Sequence, residues 1–90
     1  MASFYAEKYH GRKTANGETF NMNDLTAAHK TLAFNTRLRV TYLKTKKSVI
    51  VRVNDRGPFV GNRVLDLSRA AAIEIGLFDD GVGEVLIEIL

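Results

Sequence analysis

With 90 residues, the chain is too short for two hydrophobic cores, so we predict one domain over residues 1–90. A sequence that is 46% hydrophobic and 26% charged is too apolar for a disordered chain, and the absence of cysteine excludes disulfides and thiolate metal sites. The net charge of +3 favours an anionic partner, such as nucleic acid, a phospholipid surface or an acidic polysaccharide, but it is equally typical of an ordinary basic surface.

The N-terminus lacks the basic region and apolar stretch of a signal peptide. No apolar run approaches the ~20 residues that a membrane-spanning helix needs. Because strand-like residues begin almost at once, the sequence is typical of a domain cut from a longer precursor. The missing signal therefore indicates little about the cellular compartment.

Six segments are predicted as β-strands, the longer ones by their period-two alternation of apolar and polar residues. In chain order they cover residues 3–9, 26–28, 37–42, 49–54, 64–67 and 84–89. In the third segment, Leu38, Val40 and Tyr42 share one face, which predicts that this face is buried. The matching faces of the fourth and sixth segments are formed by Val49, Val51 and Val53, and by Val85, Ile87 and Ile89.

One helix is predicted after the fifth strand. Ser68 is a favourable N-cap, residues 69–75 contain three alanines, and Gly76 suits the left-handed residue that follows a helix. Six short strands and one short helix predict a small closed β-barrel, because closure removes unpaired strand edges. Periodicity alone does not separate this barrel from an SH3-like or OB barrel.

Two aspartates are candidates for acid–base chemistry. Asp66 lies between two leucines at a strand-to-helix junction, where partial burial would favour the protonated form that a general acid needs. The alternative is that its carboxylate accepts backbone N–H groups at the start of the helix. Asp55 ends an apolar strand before the turn at residues 56–58, where functional groups are often placed. Its local sequence favours an ordinary turn aspartate with Arg56 as an ion-pair neighbour.

His29 and Glu18 carry weaker signals. A lone histidine is usually a packed or surface residue, and without a second histidine nearby or any cysteine a metal site is not predicted. Glu18 follows the tight-turn pair Asn16-Gly17 and by itself is typical of a surface glutamate. The residues alone therefore predict a small basic β-barrel with an acidic site.

Four stretches extend this interpretation. They are residues 2–5 (ASFY), 10–20 (HGRKTANGETF), 25–32 (LTAAHKTL) and 51–72 (VRVNDRGPFVGNRVLDLSRAAA). Together they resemble the rare lipoprotein A family of bacteria, and the likeness runs from about Ala2 to the C-terminus. The chain departs from the family pattern at Ala6, where glycine is common, and at Ala33 and Asn35, where proline and glycine are usual.

The resemblance implies a mostly β fold, a six-stranded double-psi β-barrel with one or two short helices. It implies a lytic transglycosylase that cleaves peptidoglycan glycan strands in the cell envelope, in the periplasm or anchored at the outer membrane, with secretion also open. It implies no cofactor, no metal and no nucleic-acid partner, a membrane contact only through a lipid anchor outside this chain, and a monomer. The alternatives are a non-catalytic wall-binding module, as in expansins, and a protein-interaction or inhibitor barrel.

The resemblance also implies that Glu18, His29 and Asp55 line the groove. Asp66 is similar to the Asp-Leu-Ser aspartate of expansins and to the acid of membrane-bound lytic transglycosylase A. The predicted catalytic residues are therefore Asp66, Asp55, His29 and Glu18, and the predicted substrate-binding residues are Tyr5, Arg12, Lys30, Asn54 and Arg56.

The predicted reaction needs one carboxylic acid, because the nucleophile is the muramic C6 hydroxyl and no water has to be activated. We favour Asp66 as this acid, since flanking leucines favour protonation and Arg56 disfavours it for Asp55. That reason holds only if Leu65 and Leu67 touch the carboxylate, because neighbours on a strand point to opposite faces. Asp55 would stabilise the developing positive charge, and His29 and Glu18 would position the substrate or relay a proton. Arg12 and Lys30 would attract the muramic carboxylate.

Overall fold

The computed structural model describes residues 1–4, 9–59, 61 and 63–90. Its elements are strands β1 (Ala2–Phe4), β2 (Thr26–Ala28), β3 (Arg37–Tyr42), β4 (Ser48–Asp55) and β5 (Leu65–Leu67), helix α1 (Arg69–Glu74) and strand β6 (Val85–Ile89). All six predicted strands and the predicted helix are present. The prediction that the first strand extends to Tyr9 is wrong at that residue, and residues 5–8 lie outside the described part of the chain.

The six strands form one sheet in the order β1-β5-β2-β4-β3-β6. The β1–β5 and β2–β4 pairs are parallel, and the other three pairs are antiparallel. At the two ends of this order, Ala2 of β1 exchanges backbone hydrogen bonds of 2.8 and 3.0 Å with Gly83, which lies just before β6. These two bonds close the curled sheet into a barrel.

The barrel interior is built from alternate residues of the longer strands. The predicted apolar face of β3 is buried, as are Val49, Val51 and Val53 of β4. In β6, Val85 and Ile87 pack against the core, but Ile89 is 64% exposed near the end of the strand. The period-two prediction is thus confirmed for β3 and for the apolar face of β4, and it is wrong for Ile89.

Helix α1 packs against β1, β4 and β5. The side chain of Ser68 accepts a hydrogen bond from the Ala71 N–H, which is the predicted N-cap contact. Ala71 and Ala72 are buried, and Gly76 follows the helix with φ of 80°. In the described part of the chain, no helix has both the length and the apolar character needed to cross a membrane.

Candidate functional site

Asp55 and Asp66 lie in one row across three neighbouring strands. Ala28 of β2 is paired with Asp66 of β5 on one side and with Asp55 of β4 on the other. Residues paired directly across strands project from the same face of a sheet. The register therefore places the two carboxylates on either side of the small Ala28 side chain, on the face opposite Ala27, which belongs to the core.

A β-bulge aims Asp55 at this face. Strict alternation along β4 would send Asp55 into the core with Val51 and Val53. The register with β2 instead shifts between Ala27, which pairs with Val53, and Ala28, which pairs with Asp55, so Asn54 is the extra residue. A bulge of this kind redirects the side chains that follow it. Asp55 is consequently half-buried at the barrel surface.

Both aspartates line a cleft of about 510 Å³. Among the described residues, the cleft also contains four cationic side chains, two aromatic side chains and the turn after β4: Arg12, Lys13, Arg56, Arg63, Tyr9, Phe59, Gly57 and Pro58. Phe59 is 76% exposed, and the Arg12 guanidinium lies 5.9 Å from the centre of the Tyr9 ring. Four cations beside two carboxylates give the cleft a net positive charge, which attracts anionic ligands.

One oxygen of Asp55 is held by two backbone donors. Its Oδ1 accepts hydrogen bonds of 2.8 Å from the N–H groups of Ala15 and Arg56. The Arg56 guanidinium donates to the carbonyl oxygens of His29 and Leu32 and lies 4.0 Å over the Phe34 ring. Arg56 thus fastens the loop after β2, while its backbone N–H orients Asp55.

Asp66 is linked to a cation through a serine. Its Oδ1 accepts a hydrogen bond from the Ser3 hydroxyl, and that hydroxyl oxygen accepts one of 2.8 Å from Nη1 of Arg63. The pairing of β1 with β5 sets Ser3 directly opposite Asp66. Leu65 and Leu67 point into the core, so they do not surround the carboxylate and the sequence argument based on them is wrong.

Glu18 belongs to a hairpin of residues 13–19, and its carboxylate accepts hydrogen bonds from several side chains. Its two carboxylate oxygens accept hydrogen bonds of 2.6 and 2.7 Å from the Arg52 guanidinium and one of 2.6 Å from Nδ2 of Asn16. The bonds from Arg52, then that from Asn16, lower the pKa of Glu18 from 4.5 to about 2. The Glu18 carboxylate is therefore ionised at neutral pH.

His29 is held by its own turn. Its Nδ1 accepts hydrogen bonds from the backbone N–H groups of Thr31 and Leu32, at 3.2 and 3.1 Å. Burial, followed by the positive charges of Arg56 and Lys30, lowers the pKa of His29 from 6.5. The imidazole is therefore neutral at pH 7, with its proton on Nε2. The backbone N–H of His29 donates a hydrogen bond to the Asp55 carbonyl oxygen.

Comparisons with known proteins show the family of this chain. A protein-family model described as "Lytic transglycolase" matches residues 1–87. The chain belongs to this family. Two relatives 58% identical over all 90 residues are a "Probable endolytic peptidoglycan transglycosylase RlpA" of Synechocystis and an "Endolytic peptidoglycan transglycosylase RlpA" of Pasteurella multocida. A relative of the latter name from Campylobacter jejuni is 54% identical. The chain spans 28%, 31% and 33% of these three relatives, which is about a third of their length.

The fold of this lytic transglycolase family member also matches a solved structure. The protein named "Streptomyces papain inhibitor (SPI)" superposes with a TM-score of 0.77 over 99% of this chain and 89% of the other, at 18% sequence identity. An identity this low shows the fold alone. The predicted mostly β, six-stranded double-psi β-barrel is confirmed.

The structure separates the predicted site residues of this lytic transglycolase domain into three groups. Asp55, Asp66, Arg12 and Arg56 line the cleft. Glu18 and Asn54 lie outside the cleft and contact each other. Asn54 is 2% exposed, and its Nδ2 lies 3.4 Å from Glu18 Oε1. His29 and Lys30 belong to the turn after β2. Tyr5 lies outside the described residues, so its predicted role stays a prediction.

The site prediction missed several residues that line the cleft, among them Lys13, Phe59 and Arg63, and it missed Ser3, which bonds to Asp66 from the neighbouring strand. Lys13 lies in the HGRK stretch and Phe59 in the DRGPF stretch, beside Arg12 and Arg56. Because those two arginines were predicted to bind substrate, the same stretches could have indicated Lys13 and Phe59. Ser3 and Arg63 carry no local signal, because their contact with Asp66 depends on the pairing of β1 with β5. The described residues contain no group of three or more His, Cys, Asp or Glu side chains that could hold a metal ion.

Proposed function

We propose that this domain is a lytic transglycosylase that cleaves peptidoglycan glycan strands and leaves 1,6-anhydro-N-acetylmuramic acid ends. The observation that carries the proposal is the pair of carboxylates, Asp55 and Asp66, on either side of Ala28 in a cationic cleft. The names of the relatives, endolytic peptidoglycan transglycosylases, support the same substrate. Its place of action would be the bacterial cell envelope, in the periplasm or tethered by a lipid outside this chain. We further propose that the domain acts as a monomer.

The cleft suits a glycan strand that carries carboxylates. Muramic acid bears a lactyl carboxylate, and Arg12 and Lys13 offer cations at the edge of the cleft. The largely exposed ring of Phe59 offers a flat apolar surface on which a sugar ring can stack. We assign these three side chains to holding the strand across the two aspartates.

We assign Asp66 as the acid. Oδ1 of Asp55 already accepts two backbone N–H groups, whereas Asp66 accepts one hydroxyl on Oδ1, and its Oδ2 has no hydrogen-bond partner among the described residues. Oδ2 of Asp66 would donate its proton to the glycosidic oxygen as the bond from that oxygen to C1 of N-acetylmuramic acid breaks. The nearby Asp55 carboxylate would stabilise the oxocarbenium-like centre.

The same carboxylate of Asp66, now a base, would accept the proton of the muramic C6 hydroxyl as that oxygen bonds to C1. The acid is regenerated, and the product carries the 1,6-anhydro bridge. Since the nucleophile belongs to the substrate, the second carboxylate that activates water in ordinary glycosidases is not required for that step. A neutral His29 beside the backbone of Asp55 would support positioning of the substrate.

The test is mass spectrometry of products from purified glycan strands, with and without stem peptides. We expect anhydromuramic ends from the wild type and a loss on the order of 100-fold or more for D66N, the range for a missing general acid. D79N, at an exposed residue in the turn after α1, is the matched control and should be as active as the wild type. Circular dichroism of each variant checks that it is folded.

Two other outcomes have definite meanings. If D55N abolishes product and D66N does not, the roles of the two aspartates are reversed. If the folded wild type makes no product but co-sediments with the glycan, the domain is a non-catalytic wall-binding module.

A further inference from the structure

Arg52 lies in the middle of the network that connects the 13–19 hairpin to the bulge of β4. Its Nη1 and Nη2 donate to the two carboxylate oxygens of Glu18, at 2.6 and 2.7 Å, in the two-pronged geometry that fixes a carboxylate most rigidly. Nη1 also donates to Oδ1 of Asn35 at 3.0 Å. The Arg52 side chain is 34% exposed and lies outside the cleft that holds Asp55 and Asp66; it lines a separate groove of about 440 Å³.

The hairpin that Glu18 belongs to is internally rigid. Lys13 and Thr19 form an antiparallel bridge, and the Thr14 N–H donates to the Glu18 carbonyl oxygen at 2.7 Å. Gly17 adopts φ of 90° at the tip, a conformation that favours glycine. Because these hydrogen bonds join the two sides of the hairpin, an interaction that fixes Glu18 also restrains the backbone of Ala15.

The hairpin touches the site at two points. The Ala15 N–H donates to Oδ1 of Asp55 at 2.8 Å, and the Asn16 N–H donates to the Asn54 carbonyl oxygen at 3.3 Å. Asn54 is the bulge residue that turns Asp55 toward the cleft. The hairpin therefore contacts both the Asp55 carboxylate and the backbone feature that aims it.

From these contacts we infer that Arg52 is a positioning residue for the reaction: by clamping Glu18, it holds the hairpin on β4 and so fixes the orientation of the Asp55 carboxylate. The inference rests on the proposed function, because it gives Asp55 a role in stabilising the transition state. In this inference, Glu18 anchors the hairpin to Arg52 of β4. Neither Arg52 nor Glu18 then needs to touch the substrate.

The kinetic test uses R52M, which keeps an unbranched, flexible side chain and removes the guanidinium. We expect kcat to fall on the order of 10- to 100-fold with KM unchanged, the effect of misplacing a reacting group by about 1 Å. R52K keeps the charge but loses the two-pronged contact and should lose less. R39M removes the exposed Arg39–Glu88 pair between β3 and β6, 3.7 Å apart, and is the matched control with wild-type kcat.

A double variant distinguishes clamping from a general loss of structure. If Arg52 acts through Glu18, E18Q/R52M should be no slower than R52M, because the two residues form one device. Independent effects would multiply instead. Multiplying effects, or a wild-type kcat for R52M, would overturn the inference.

A readout that does not depend on activity is the Ala15 amide in ¹⁵N–¹H spectra. R52M should shift this resonance and speed its hydrogen exchange, and R39M should leave both unchanged. An unmoved Ala15 resonance in R52M would also overturn the inference. If the wild type makes no product, the proposed function fails, and the amide measurement alone decides whether Arg52 clamps the hairpin.

Discussion

The closure of the barrel at Gly83 leaves no room for a methyl group. A Cβ placed on Gly83 would lie 2.8 Å from the phenolic oxygen and 2.9 Å from Cζ of Tyr42, well inside the roughly 3.5–4.0 Å of an ordinary contact. The ring cannot easily retreat, since Tyr42 is 4% exposed and its hydroxyl donates to Oδ2 of Asp80. Gly83 itself is tied to Ala2 by the two bonds that close the sheet.

We therefore expect G83A to lower the free energy of unfolding by about 2–3 kcal/mol, the upper part of the range for overpacking a rigid site. In a domain of this size, that corresponds to a fall in Tm of about 10–20 °C. Urea unfolding at pH 7, followed by circular dichroism, measures the change. An unfolding free energy within about 0.5 kcal/mol of the wild type, the size of an ordinary surface substitution, would refute the reasoning.

The control is the same substitution in a Y42L background. Leucine lacks the ring atoms that the new methyl group would meet, so G83A should cost less than about 1 kcal/mol there. An equal cost in both backgrounds would mean that the backbone at residue 83, and not Tyr42, excludes the side chain.

Three further predictions concern a carboxylate, a helix cap and an aromatic ring. The low pKa of Glu18, about 2 against 4.5, stabilises the fold above pH 4.5, and this contribution is lost as the pH falls toward 2. Since that side chain is 36% exposed, we expect E18Q to cost about 1 kcal/mol at pH 7, with the difference from wild type closing between pH 4.5 and 2 in urea unfolding. S68A removes the N-cap of α1 and should lower the unfolding free energy by about 1–2 kcal/mol. F59A should leave Tm unchanged, because the ring is 76% exposed, and weaken co-sedimentation with glycan strands about 5-fold.

Each of these predictions has its own control. E88Q alters the exposed ion pair between β6 and β3, and its difference from wild type should not close in acid as that of E18Q does. S48A, at an exposed serine that begins β4, is the control for S68A and should keep wild-type stability. A difference between wild type and E18Q that persists at pH 2, an S68A variant as stable as the wild type, or an F59A variant with undiminished glycan binding would each contradict the corresponding argument.

The strands were predictable because apolar and polar residues alternate along a strand when one face of its sheet is buried. Leu38, Val40 and Tyr42 show this pattern and are all buried. The helix was predictable for an equally local reason, since Ser68 caps it through a residue only three positions away. The prediction of a buried face failed at Ile89, the last residue of β6, which continues the alternating pattern but is exposed.

The candidate site was only partly predictable. The likeness of four stretches to a known family pointed to Asp55, Asp66, His29 and Glu18, but the sequence could not assign them roles. The structure gives Glu18 a saturated set of donors from Arg52 and Asn16, 34 and 2 positions away. No pattern in a single sequence reports such partners.

The sequence by itself determined the secondary structure, the apolar faces of the strands and the family, because each depends on neighbouring residues or on whole stretches of chain. Only the tertiary structure decided that Asp66, Ala28 and Asp55 form one row, since this follows from the order β5-β2-β4 and from one bulge at Asn54. A shift of one residue in a strand turns a side chain from one face to the other. The position of the carboxylates is therefore a property of the strand register, and register is fixed by contacts between segments far apart in the chain.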